Sequence, residues 1–134
     1  MTLAPEIRAR LRDAAGFVFD MDGTIALGDA ASGGHKALPH AAELLHELKA
    51  RGTPYVVFTN GTAKPPAAYA KSLRAAGFPV EDAQMLTPSS SAARWLSGQG
   101  IRRVRVLGNA GTAAPLADAG IEVVGPAEQA DAVD

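Results

Sequence analysis

The chain has 134 residues, 47% of them hydrophobic and 20% charged, and its 13 basic and 14 acidic side chains leave a formal net charge of −1. Such a composition suits a folded globular protein and argues against extended disorder. It provides no basic field to hold nucleic acid or an anionic membrane, and the absence of cysteine excludes disulfides, thiolate metal sites and thiol nucleophiles.

The opening Met1-Thr2-Leu3-Ala4-Pro5-Glu6 lacks the basic segment and apolar run of a secretory leader. No stretch approaches the ~20 apolar residues of a membrane helix, so a cytoplasmic setting is expected. Pro5 to Ala14 reads as a helix with proline in its first turn. Gly16 to Asp20 is a short apolar run closed by a carboxylate, hence a buried strand. Met21 to Lys36, rich in Gly, Ala and Asp, reads as a loop. Pro39 to Arg51 carries Ala41, Leu44, Leu45 and Leu48 at helical spacing, with Gly52 placed to stop it. Pro54 to Thr59 is a second buried strand, Asn60-Gly61-Thr62 a turn, and Pro65 to Ala76 a helix ending at Gly77. A weaker strand is expected at Gln84 to Leu86, then a serine-capped helix from Ser89 to Leu96. A strand at Val104 to Leu107, a helix from Thr112 to Ala119 and a strand at Ile121 to Val124 complete the pattern. Strands alternating with helices imply right-handed βαβ units and a parallel sheet.

Two of these strands end in a polar residue followed by a glycine-containing turn, at Asp20 and at Thr59. Ligands of open parallel sheets sit beyond the carboxyl ends of the strands, so the two ends are expected to share one crevice. In Asp20-Met21-Asp22-Gly23-Thr24 the two carboxylates lie two residues apart and can face one cavity. One can attack phosphorus while the other manages the leaving-group proton, and a hard cation such as Mg²⁺ suits the same oxygens. Gly23 permits a tight turn that the Thr24 hydroxyl can brace. Without that context, Asp-Gly is an ordinary turn dipeptide. The spacing does not fit a calcium-binding EF-hand loop, because Ala31 stands where the bidentate Glu is needed.

Phe17-Val18-Phe19-Asp20-Met21-Asp22-Gly23-Thr24 resembles the first motif of the haloacid dehalogenase-like hydrolases, and Val56-Val57-Phe58-Thr59-Asn60 resembles their second. Leu38-Pro39, Thr59 to Thr62, Thr87 to Ala92 and Val106-Leu107-Gly108 follow, in order, the branch that includes NagD, p-nitrophenyl phosphatase and phosphoglycolate phosphatase. The resemblance spans Gly16 to Asp134. It implies an α/β, Rossmann-like parallel-sheet core, present in part over residues 1–88, and the beginning of an α/β cap domain over residues 89–134. It further implies that Asp20 is phosphorylated and then released by water, with Asp22 as acid and base. Mg²⁺ would take a carboxylate oxygen of Asp20 and the backbone carbonyl of Asp22. Thr59 would bind a phosphoryl oxygen, helped by Asn60 and Gly61. The family also uses a later lysine and a later acidic cluster, neither of which is identified here. Ala130 to Asp134 reads as the start of a further strand, and an unpaired apolar edge in a partial sheet would favour homo-oligomerisation or a completing partner.

Other signals are weaker. Gly108 to Thr112 fits no nucleotide fingerprint and reads as a strand-to-helix turn. His46-Glu47 opens like a zinc-helix motif, but position 50 is Ala, so His40 and His46 are expected to be solvated helix residues. His35 reads as loop polarity. Trp95, with Ala92 and Leu96, suggests a buried helix face, and Arg102, Arg103 and Arg105 suggest a solvated strand edge. The expected activity is Mg²⁺-dependent phosphomonoester hydrolysis on a small phosphorylated metabolite, with no nucleic-acid or membrane partner. The alternatives are a phosphoryl transferase or dehalogenase of the same fold, and a non-catalytic phosphate-binding or regulatory module. Asp22 argues against dehalogenation, since cleaving a carbon–halogen bond needs no acid for an alcohol leaving group.

Overall fold

The computed structural model describes residues 3–125; the strand start expected at 130–134 lies outside them. The elements are α1 (Pro5–Arg12), β1 (Phe17–Asp20), β2 (Ala26–Asp29), β3 (Gly34–Ala37), α2 (Ala41–Ala50) and β4 (Tyr55–Phe58). They continue with α3 (Pro66–Ala75), a 3-10 turn at Asp82–Gln84, β5 (Met85–Leu86), α4 (Pro88–Gly98), β6 (Arg103–Arg105), α5 (Ala110–Asp118) and β7 (Glu122–Val124). The central sheet is parallel, in the order β1-β4-β5, and β6 and β7 form a separate parallel pair. This is the α/β architecture that the alternation of strands and helices implies.

Packing follows the apolar pattern. On α2 the buried residues are Ala41, Leu45 and Leu48, one stripe at helical spacing. They join Val57 of β4, Leu73 of α3 and Val80 in a core whose central members are completely buried. A second cluster gathers Ala93, Leu116 and Ile121, with Leu96, Val104, Val106 and Val123 against them. The switch from one cluster to the other falls between Met85 and Ala93. Gly52 stops α2 as its position suggests: its φ is 68°, and Thr53 N–H reaches back to the Leu48 carbonyl at 3.0 Å. Among the described residues β1 lies at a sheet edge, with Val18 74% exposed.

Four expectations need correction. Residues 21–36 are not all loop: β2 and β3 pair antiparallel, from Ala26↔Ala37 to Asp29↔Gly34. Their Ala and Gly content gives no β signal. The hairpin is made by its turn, where Asp29 accepts hydrogen bonds from the Ala31 N–H at 3.1 Å and the Ser32 hydroxyl at 2.7 Å. Those bonds, the Ser32 one first, hold the Asp29 carboxyl below its ordinary range. Secondly, α2 begins at Ala41, after His40 in a left-handed conformation at φ 64°, so His40 is not a helix residue. Thirdly, Trp95 is 62% exposed, and Ala93 is the buried residue of that helix turn. Finally, α4 is capped by Thr87 rather than by a serine. The Thr87 hydroxyl accepts the Ser90 N–H at 3.2 Å, while the Ser90 hydroxyl accepts the Thr87 N–H at 2.9 Å. This reciprocal box places Pro88 at the first helical position, where its missing N–H costs nothing.

Because Thr87 is 1% exposed and its cap serves a core-facing helix, Thr87→Ala is expected to lower folding stability by about 0.5–2 kcal/mol. Equilibrium denaturation of the two proteins measures it, and an unchanged midpoint would mean the cap contributes nothing.

Candidate active site

The site is built by strand register. β1 and β4 pair from Phe17↔Tyr55 to Asp20↔Phe58, so Thr59, one residue past β4, comes beside the turn that leaves β1. Thr59 is held in place by its own N–H, which donates to the Leu86 carbonyl of β5 at 3.1 Å, and its side chain is fully buried.

The turn after Asp20 winds around Met21, whose side chain is 1% exposed. The Met21 carbonyl accepts N–H bonds from Thr24, Ile25 and Ala26 at 3.3, 3.1 and 3.1 Å, and the Gly23 N–H donates to the Ala26 carbonyl at 2.9 Å. Burial of Met21, Ile25 and Ala26 forces Asp22 and Thr24 between them outward, and Asp20 at the end of β1 is exposed as well. Gly23 sits at φ 77°, and a Cβ there would meet nothing within 4 Å. The glycine therefore serves the turn and not a close approach of other backbone.

Two local hydrogen bonds order the strand ends, and one contact passes between them. The Thr24 hydroxyl donates to Asp20 Oδ2 at 3.0 Å, and among the described residues no hydrogen bond falls on Oδ1. The Thr59 hydroxyl approaches Asp22 Oδ2 at 3.5 Å, and the Gly61 N–H donates to Thr59 Oγ1 at 3.1 Å. The Thr59–Asp22 distance is long for a hydroxyl-to-carboxylate bond, so it marks proximity more than strength. The two polar strand ends do come together: Asp22, Thr59 and Gly61 are linked in sequence by these contacts, Asp20 lies at the adjacent strand end, and the exposed Asn60 stands between Thr59 and Gly61.

The carboxylates offer hard oxygen donors of the kind Mg²⁺ takes. Among the described residues, no group of three or more acidic or histidine side chains gathers. The donor set therefore fits such an ion in kind, and Asp20 and Asp22 by themselves would supply only part of a coordination shell.

Neighbouring segments support the site in ways that local sequence does not reveal. His35 lies in β3, and its Nδ1 pairs with the Ser72 hydroxyl of α3 at 2.8 Å. Lys64, just past the Thr59–Thr62 turn, donates to the Gly33 carbonyl at 3.0 Å. These contacts dock the β2–β3 hairpin on α3 and on the segment that precedes it. From the other side, a Cβ on Gly111 at the start of α5 would lie 2.5 Å from the Thr62 carbonyl oxygen and 2.6 Å from Lys64 N. Glycine is needed there because two backbones touch. The remaining candidates stay outside the site. His46 pairs with the Gly77 carbonyl at 3.0 Å, Arg103 with Glu122 at 3.3 Å, and Gly108-Asn109 leads straight into α5, which Asn109 caps by accepting the Thr112 N–H at 3.2 Å.

A parallel sheet with paired carboxylates at one strand end and a buried hydroxyl at the next defines an α/β protein whose polar site lies at the strand carboxyl ends. The chain belongs to the haloacid dehalogenase-like hydrolases, whose family model matches residues 17–122. Human glycerol-3-phosphate phosphatase is 32% identical over 131 residues, covering 91% of this chain and 39% of that enzyme. Phosphoglycolate phosphatase 1A of Arabidopsis thaliana is 30% identical over 112 residues, covering 81% of this chain and 29% of that protein. NagD from E. coli superposes with a TM-score of 0.69 at 27% identity, over 82% of this chain and 42% of that one. The chain thus spans less than half the length of each of these three.

With open space around Gly23 and φ at 77°, Gly23→Ala is expected to cost about 1–2 kcal/mol through backbone strain alone. Chemical denaturation tests this. A neutral or stabilising substitution would show that the turn relaxes to negative φ.

Proposed function

We propose that this chain carries the nucleophile half of the site of a magnesium-dependent phosphomonoester phosphatase that acts on a small phosphorylated metabolite. The observation that carries the reading is the convergence of Asp20, Asp22 and Thr59 at adjacent strand ends. The names of the human and Arabidopsis relatives, both phosphatases of small phosphomonoesters, support it.

Asp20 Oδ1 is the nucleophile, because Thr24 occupies Oδ2 and fixes the carboxylate plane. Its attack forms an Asp20–phosphorus bond as the bond from phosphorus to the ester oxygen breaks. Asp22, carrying a proton, transfers it to the departing alkoxide. The Asp22 carboxylate then takes a proton from water as that water attacks phosphorus, releasing inorganic phosphate and restoring Asp20. The Thr59 hydroxyl turns from Asp22 to a phosphoryl oxygen, while Asn60 and Gly61 orient the group. The Asp20 carboxylate and the Asp22 carbonyl would hold Mg²⁺, which when bound would offset the negative charge of the phosphoryl group.

On this reading residues 1–88 are core and residues 89–134 the first part of a cap, a division supported by the two separate apolar clusters. The partner is a small phosphate ester rather than nucleic acid or a membrane. No helix among the described residues is long and apolar enough to cross a bilayer. The exposed edge of β1 is suited to pairing with a further strand, from the same polypeptide or from a second copy.

The acid role of Asp22 has a measurable signature. In the full-length protein, Asp22→Asn is expected to slow alkyl phosphate hydrolysis by roughly 10² to 10⁴-fold. The loss should be much smaller for an activated aryl phosphate, whose leaving group needs no proton. Equal losses across leaving groups of widely different pKa would remove Asp22 from that role. Binding of phosphate with no turnover of any monoester would favour the non-catalytic binding module.

A further inference from the structure

Tyr69, on α3, is 6% exposed and packs in the main core. Its ring lies 6.1 Å from that of His35, tilted by 51°, and His35 is itself tied to Ser72 of the same helix. The aromatic stem is therefore fixed. Its hydroxyl makes no hydrogen bond to any described residue, although a buried tyrosine oxygen ordinarily finds a partner. Among the described residues, Ser97 Oγ is the one buried side-chain nitrogen or oxygen without a partner, so the Tyr69 oxygen must open to solvent.

Where it opens is set by Gly61. That residue is not among the glycines with positive φ, so backbone conformation does not explain it. Space does: a Cβ on Gly61 would lie 2.6 Å from Tyr69 Oη, 3.1 Å from Tyr69 Cζ and 3.3 Å from Thr59 Oγ1. The two hydroxyls flank the same point, and the absent Cβ keeps the space between them open.

We infer that the Tyr69 hydroxyl is a further hydrogen-bond donor to the phosphoryl group bound at Thr59–Gly61, and that Gly61 is glycine so that this hydroxyl can reach it. The inference rests on the phosphatase reading and deepens it. A phosphoryl dianion presents three peripheral oxygens, more acceptors than the Thr59 hydroxyl can serve. A phenol O–H is a hydrogen-bond donor. A bond to a charged acceptor is stronger than one to a neutral group, and the packed ring brings the donor with little rotamer freedom left to lose.

Two variants in the full-length protein test this. Tyr69→Phe keeps the ring and removes the oxygen. With Mg²⁺ present, it is expected to weaken inhibition by inorganic phosphate about tenfold or more and to raise KM for a phosphomonoester similarly. Its unfolding midpoint should stay near that of wild type. Gly61→Ala is expected to destabilise the wild-type background and to do so less when Tyr69 is Phe, a coupling read from a double-mutant cycle in thermal denaturation. Unchanged phosphate inhibition in Tyr69→Phe would overturn the donor role. An equal Gly61→Ala penalty in both backgrounds would overturn the spatial argument. If wild type itself binds no phosphate, the phosphatase reading fails and takes the inference with it; if wild type binds and Tyr69→Phe binds equally, the inference alone fails.

Discussion

The parallel pairing of β1 with β4 is the constraint on which the site depends. Each strand is four residues long, yet their register puts Asp20 opposite Phe58 and so brings Thr59 to the turn that carries Asp22. A slip of one residue would turn every side chain on β1 to the opposite face. Phe17 and Phe19 would then leave the core, and Asp20 would be driven into it. The register is thus held by the partial burial of two aromatic rings against the core, stacked on each other at 5.8 Å. The chemistry at the strand end takes its position from that packing.

Around this pairing, the site is braced from two directions. The β2–β3 hairpin reaches α3 through His35–Ser72, and the segment before α3 through Lys64–Gly33. The start of α5 presses on the backbone of Thr62 to Lys64 through Gly111, and the Ser89 hydroxyl of α4 donates to the Thr112 carbonyl of α5. The turn that holds Thr59 and Gly61 is therefore shared between the main core and the second apolar cluster. Movement of α4 and α5 relative to the sheet would be felt at the loop directly after the Thr59–Gly61 turn.

Much of this was legible in the sequence because it is local. Apolar runs closed by a polar residue marked β1 and β4, helical spacing marked α2, and the glycine after Arg51 marked its end. Asp20, Asp22 and Thr59 could be picked out since each sits at a strand end or in its turn. What stayed hidden depends on contacts distant in sequence. His35 and Ser72 are 37 positions apart, and nothing near either residue announces the other. The reason for glycine at Gly61 is Tyr69, a full helix turn into the next element, and the reason at Gly111 is a loop nearly fifty residues earlier. The β2–β3 hairpin was missed for a different cause: its strands are made of residues with little β preference, and its stability comes from the Asp29 turn and the burial of Ala26. Trp95 misled because size and apolarity suggest burial, while α4 turns the smaller Ala93 inward instead.

The central claim is that Asp20 is the group that attacks phosphorus. Acid quenching of the full-length protein during turnover of a phosphomonoester with Mg²⁺, followed by peptide mass spectrometry, tests it most directly. The account predicts an acid-stable, hydroxylamine-labile phosphoryl group on the peptide containing Asp20, absent from the Asp20→Asn protein. Undiminished turnover by Asp20→Asn, or a phosphoryl group on another residue in the wild type, would contradict it.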